Sequence, residues 1–220
     1  MEIKISEKIK LACPNVHIAT LSCKVVNSET GTDFWNEMET EVANIKSTYK
    51  LEEINKRIHI AATRKIYKTL GKDPNRYRPS AEALCRRILR GIDIYKVSTL
   101  VDIINLVSIN SGLSIGAFDA EKIQGNFLLL DAGRADDKFE AIGRGILNIE
   151  GLPVYRDNVG GIGTPTSDNE RTKLDMSTTN MFVIFNGYAG EEGLKDAIDL
   201  AEDLLSRYAE MAEAQVRYYF

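Results

Sequence analysis

The run from Arg76 to Gly125 constrains the fold most, because it spells out two consecutive helices with their stops in place. It reads R-Y-R-P-S-A-E-A-L-C-R-R-I-L-R-G, then S-T-L-V-D-I-I-N-L-V-S-I-N-S-G, then S-I-G-A-F-D-A-E-K-I-Q-G. Pro74 and Pro79 bracket a loop that carries Arg76, Tyr77 and Arg78. Ser80 then stands where a helix N-cap would accept an otherwise unpaired backbone N–H, Leu84 and Ile88 share a helical face, and Gly91 supplies the stop. Thr99 and Asp102 have the spacing of a second N-cap followed by an acid in the first turn. Leu100, Ile103, Ile104 and Val107 form an apolar stripe that ends at Gly112, which predicts a helix central to the core.

Around this centre the patterns mix. Residues 2–5 and 16–26 read as strands, the second alternating and rich in β-branched residues. Helices are predicted from Thr32 or Asp33 to about Lys46 and over 51–69. Strands are predicted at 126–131, near 139–142, at 153–156 and at 181–186. A long helix starts near Glu191, with Leu194, Ala197, Ile198, Ala201, Leu204, Leu205 and Tyr208 on one face. Helices and strands do not alternate strictly, so the expected fold class is mixed α/β (α+β), with a mixed or antiparallel sheet and flanking helices. No repeat or low-complexity linker divides the chain. The expected organisation is an N-terminal strand and helix segment at 1–54 packed on a domain at 55–205, with 206–220 as the end of the C-terminal helix.

Charge is uneven on a chain of net charge −4. Residues 64–96 hold ten Lys or Arg against three acids, whereas 187–220 hold eight acids against three Lys or Arg. Arg76, Arg78, Arg86, Arg87 and Arg90 are therefore expected on one positive surface, which could meet RNA phosphate or serve only as a solubilising face. Cys13, Cys23 and Cys85 are odd in number and widely spaced, as suits reduced thiols in a cytoplasmic protein rather than a disulfide frame or a zinc site. No apolar stretch reaches the length of a membrane span, and no metal or cofactor is expected.

Chemistry-bearing motifs are few. Gly143-Arg-Gly145 and Gly161-Ile-Gly163 lack the rest of a dinucleotide fingerprint, and no phosphate loop is present. His17 falls in a predicted strand and His59 in a predicted helix, so no Ser/His/Asp constellation assembles. The remaining candidate is the polar loop S-D-N-E-R-T-K-L-D at 167–175, where Glu170 and Arg171 alone would read as an exposed ion pair.

Three blocks in the opening run carry a resemblance: R-P-S-A-E-A-L-C-R-R-I, L-V-D-I-x-N-x-V-S and G-A-F-D-x-x-K-I-x-G. In that order and spacing the chain resembles, over about residues 55–205, the B3/B4 domain of the bacterial phenylalanyl-tRNA synthetase β subunit, a proofreading module of mixed α/β fold. The resemblance implies tRNA or aminoacyl-tRNA as partner and hydrolysis of a mischarged aminoacyl ester in trans. A non-catalytic module recognising tRNA, an amino acid or a protein is the alternative. A ligase is a poor reading, since nothing in the 220 residues resembles an ATP-binding catalytic domain. By the same resemblance Glu170 falls on the glutamate of the editing site. Gly116, Ala117, Gly161, Gly163 and Asn180 are expected around a substrate pocket formed by the 112–119 turn and the 160–167 loop. Two positions depart from the family pattern. Gly116 stands where histidine is common and would leave extra room, and T-P-T-S at 164–167 replaces a tight glycine turn.

Overall fold

The computed structural model describes residues 1–220. Strand β1 (Glu2–Ile5) leads through helix α1 (Glu7–Ala12) to β2 (His17–Lys24) and the long helix α2 (Thr32–Thr48). Three helices follow: α3 (Ile58–Thr69), α4 (Ser80–Leu89) and α5 (Thr99–Ser111). The chain then runs through β3 (Ile115–Asp119), β4 (Phe127–Ala132), the short pair β5 (Glu140–Ala141) and β6 (Gly145–Ile146), β7 (Pro153–Arg156), β8 (Gly161–Gly163) and β9 (Asn180–Gly187). Helix α6 (Leu194–Tyr208) and strand β10 (Ala212–Tyr219) complete it.

Two four-stranded sheets organise these elements. One runs β10-β2-β9-β3 and is wholly antiparallel; the other runs β1-β4-β7-β8, with β1 parallel to β4 and the rest antiparallel. Side chains alternate faces along a strand. Met181, Val183 and Phe185 of β9 therefore pack among α2, α4, α5 and α6, while Phe182 and Ile184 face Leu128, Leu130 and Val154 of the second sheet. The layers are helices, sheet, sheet, and the fold is mixed α/β. No helix is long and apolar enough to cross a membrane.

Helix α5 lies at the centre of the helical layer, packed on α2, α4 and α6. Its apolar stripe is wider than the four expected residues, because Leu106 and Ile109 are buried as well. Its start is also built differently from the sequence expectation. Ser98 occupies the cap and Thr99 is already helical; the Asn27 carboxamide accepts the Leu100 N–H at 3.2 Å from a distant loop. Asp102 is the first-turn acid expected, but it is buried and accepts from the Val97 N–H at 3.1 Å and the Thr30 hydroxyl at 2.6 Å, so it also ties two incoming segments together. Gly112 ends the helix at φ +78°, a left-handed conformation that a side chain would strain.

Three further expectations are corrected. Pro79, not Ser80, precedes α4, and Ser80 is its first residue, its N–H donating to the Pro165 carbonyl at 2.8 Å. The helix expected over 51–69 is a single 3₁₀ turn at Ile54–Lys56 followed by α3, with Arg57 extended between them. The Arg57 guanidinium reaches the exposed carbonyls at the end of α5, donating to Ile109 at 2.7 Å and Asn110 at 2.5 Å. The C-terminal helix stops at Tyr208, and residues 212–219 return as β10 along β2. The apolar spacing that supports the helix ends at Tyr208, and the turn after it places Glu210 at φ +49°.

Candidate functional site

The first turn of α4, the inner face of α5 and the start of β3 converge on the loop after β8, enclosing a cavity of about 420 Å³. Spacing puts the right residues there. Ser80 and Leu84 lie one turn apart on α4, and Val101, Ile104, Asn105 and Ser108 lie at helical intervals on α5. Ile115, Ile142 and Leu174 complete an apolar wall, while Thr164, Ser167, Asp168 and Lys173 supply polar groups. A volume of this size is in the range that takes a small organic group.

The loop is a tight reversal. The Thr164 N–H donates to the Ser167 carbonyl at 3.0 Å, and the Thr164 hydroxyl accepts from the Thr166 and Ser167 N–H groups at 3.2 and 3.1 Å. T-P-T-S thus makes its turn with a threonine hydroxyl and a proline instead of glycine. The reversal pairs Gly163 with Asp168 across a β-bridge and aims the Asp168 carboxyl at β3, where it accepts the Ala117 N–H at 3.3 Å. Burial pushes the Asp168 carboxyl up to about 7, the Ala117 N–H opposing that rise.

Gly116 and Gly163 make this arrangement possible. A Cβ at Gly163 would lie 2.7 Å from the Asp168 carboxyl and 2.5 Å from the Phe118 ring; at Gly116 it would lie 2.8 Å from the same ring. The extra room expected at Gly116 is therefore absent, because Phe118 fills it. Ala117 lines the cavity. Gly161 does not: it packs against Phe139 and Val154 between the sheets. Asn180 is also elsewhere, donating to Glu121 at 2.7 Å at the start of β9.

Glu170 is not in the cavity wall. It starts a 3₁₀ turn, Glu170–Thr172, after Asn169, and its carboxylate pairs with Lys173 at 2.5 Å and accepts the Gly143 N–H at 3.2 Å. Lys173, then Gly143, hold it below the usual carboxylate range. Arg171 ignores it and forks onto Asp157 at 2.9 and 2.8 Å. The carboxylate that enters the pocket expected between the 112–119 and 160–167 segments is that of Asp168. The T-P-T-S turn is the signal that could have found it, since a four-residue reversal after Gly163 sets residue 168 directly opposite.

The five arginines do not share one open surface. Glu82 is fully buried, and Arg64 at 2.9 Å, Arg86 at 2.8 Å and Arg78 at 3.6 Å converge on it. A carboxylate so deep in the protein needs such compensation. Arg87 stacks on Tyr95, and only Arg76 and Arg90 are exposed. His17 and His59 lie outside the cavity, and no cluster of His, Cys, Asp or Glu is placed to hold a metal ion.

A two-sheet α/β domain with one acid-floored cavity under its helical layer is the class these features define. The chain belongs to the B3/4 domain family, whose family model matches residues 62–211. Among solved structures, an N-terminal fragment of the phenylalanyl-tRNA synthetase β subunit from Pyrococcus horikoshii is similar at 14% identity and a TM-score of 0.47. The match covers 98% of this chain and 50% of that one, so the chain spans about half its length. No curated protein matches the chain.

Proposed function

We propose that the cavity hydrolyses an aminoacyl ester carried by tRNA, with Asp168 as the proton-transferring group. The observation that carries this reading is the Asp168 carboxyl in the lining of an apolar cavity, where burial pushes it up to about 7. Such a group can take a proton from water and return it at neutral pH, the condition for efficient acid–base catalysis. Water, deprotonated by Asp168, adds to the ester carbonyl; the tetrahedral intermediate then expels the ribose oxygen, which receives that proton. The products are the free amino acid and tRNA.

The turn N–H groups of Thr166 and Ser167 are already given to Thr164. Stabilising the oxyanion therefore falls to side chains. Ser80, Asn105 and Ser108 line the cavity and make no side-chain hydrogen bond to another protein group, which leaves them for a ligand. Glu170 acts as a positioning residue, through Lys173 and the Gly143 turn. We place the activity in the cytoplasm, where Cys13, Cys23 and Cys85 stay as thiols.

The test is a deacylation panel of correctly and incorrectly charged tRNAs. Asp168→Asn is expected to slow the responsive substrate by roughly 100-fold or more. A panel without turnover, together with calorimetric binding of a free amino acid, would replace this reading with a binding module. That second reading has one observation of its own: Asp168 and Lys173 line the same cavity, as groups of opposite charge would for a free α-amino acid.

A further inference from the structure

Between α4 and α5 the chain runs without regular structure over residues 92–98, yet it is pinned at both levels. Ile94 is buried in the helical core, and the Val97 N–H is held by Asp102 at 3.1 Å. Residues 92, 93 and 95–97 are exposed, whereas Ser98 is buried. Tyr95 is 57% and Val97 61% exposed, and Ile92 is exposed beside them. Exposed aromatic and β-branched groups on a fixed backbone mark a contact surface.

Two of the cations around this segment lie over aromatic rings, one of them Tyr95 and the other Trp35 of α2. The Arg87 guanidinium lies 3.9 Å from the Tyr95 ring centroid and donates to the Tyr95 hydroxyl at 2.9 Å, so one face of the ring is covered and the ring is fixed. The Lys96 ammonium sits 4.7 Å over the Trp35 ring, and Arg90 stands exposed at the end of α4. Arg87 shares a face of α4 with Ser80 and Leu84, beyond the residues that line the cavity. Val97 belongs to both places, lining the cavity and flanking Tyr95.

We propose that Tyr95, with Arg87, Arg90 and Lys96, is a stacking platform for the unpaired end of a single-stranded nucleic acid at the mouth of the cavity. A ring held by a guanidinium on one face offers the other to a base, and stacking on such a ring needs no particular base. Arg90 and Lys96 then meet the flanking phosphates; the exposed acids nearby are Asp93 and Glu39, which line the same groove as Lys96. The claim rests on the ester-hydrolysis reading only for the direction of the strand, whose terminal ribose would lie past Val97 in the cavity.

The probe is a short, unacylated single-stranded RNA with 2-aminopurine as its 3′-terminal base, followed by fluorescence quenching. Saturable quenching is expected. Tyr95→Ala should weaken binding roughly 5- to 150-fold, as loss of one stacked base does, with an unchanged thermal melt. Tyr95→Phe, which keeps the ring, should bind as the parent does. Arg90→Gln and Lys96→Gln should each reduce the slope of log K against log salt by about 0.7. No binding at low salt, or binding indifferent to Tyr95→Ala, overturns the proposal and leaves the strip to a protein partner. The probe has no ester, so the two readings fail separately. A negative deacylation panel with Tyr95-dependent binding removes only the hydrolase, and turnover without such binding removes only the platform.

Discussion

Asp168 is a carboxyl whose proton folding retains, and that has a sign. Unfolded, an aspartate titrates near 3.9; folded, this one is pushed up to about 7. Between those values the folded state holds a proton that the unfolded chain has lost, so stability falls as pH rises from about 4 to about 7 and levels off above that. Asp168→Asn keeps an acceptor for the Ala117 N–H and removes the titration. Its unfolding midpoint should therefore exceed the parent's at pH 8, with the advantage gone by pH 4; parallel curves across that range would place the perturbed carboxyl elsewhere. Deacylation by the parent should rise through pH 7 as the base forms. Gly163→Ala belongs to the same site: its methyl would meet both Phe118 and Asp168, so the variant should lose the elevated pKa along with activity. Glu170→Ala removes an open ion pair and should leave the melt unchanged, while lowering turnover much less than Asp168→Asn. Equal losses in the two variants would restore Glu170 to the chemistry. Sequence directed attention to this loop and to Glu170 in it, but matching by likeness cannot see which of two acids two residues apart a reversal turns toward the cavity, and here it is Asp168.

Helix α5 was the most legible element, since its apolar period and Gly112 stop are local signals. Its cap was not, because Asn27 is 73 positions away from the Leu100 N–H it accepts. Asn27→Ala should cost about 1 kcal/mol in denaturant unfolding, the usual value of a lost cap. The two faces of the helix should also separate. Ile103 is fully buried, so Ile103→Ala should cost about 2–5 kcal/mol through the void it leaves. Ile104 borders the cavity, where truncation enlarges an existing space, and Ile104→Ala should cost less and shift substrate preference toward bulkier side chains. A larger loss at Ile104 than at Ile103 would mean that the core face has been assigned to the wrong side. Arg57 shows the same limit of local reading. The periodicity over 51–69 is continuous, but the chain breaks there to bring a guanidinium onto the α5 carbonyls.

At the scale of the whole molecule, the ends of the chain are structural members. β2 is the second strand of one sheet and β1 an edge of the other, so the first twenty-four residues are woven into both. Sequence reading found both strands because their alternation is local, but their partners, β9 and β4, lie more than a hundred residues away. β10 was missed because A-E-A-Q-V-R-Y-Y has mostly exposed side chains and no apolar face to announce it. What it contributes is a backbone ladder. It covers the outer edge of β2, a strand whose residues from Ile18 to Leu21 are all buried. The free edge of the sheet is then β10 itself, carrying Glu213 and Arg217 and broken by an irregular register between Ala212 and Gln215, features that discourage edge-to-edge pairing. Ending the chain at Ala209 would leave the helical layer and its cavity in place but expose β2 as a long apolar edge. That form should melt at a lower temperature and elute as dimers or larger species in size-exclusion chromatography with light scattering. A monomer with the parent's midpoint would show that the ladder along β2 is dispensable and that the edge is protected in another way.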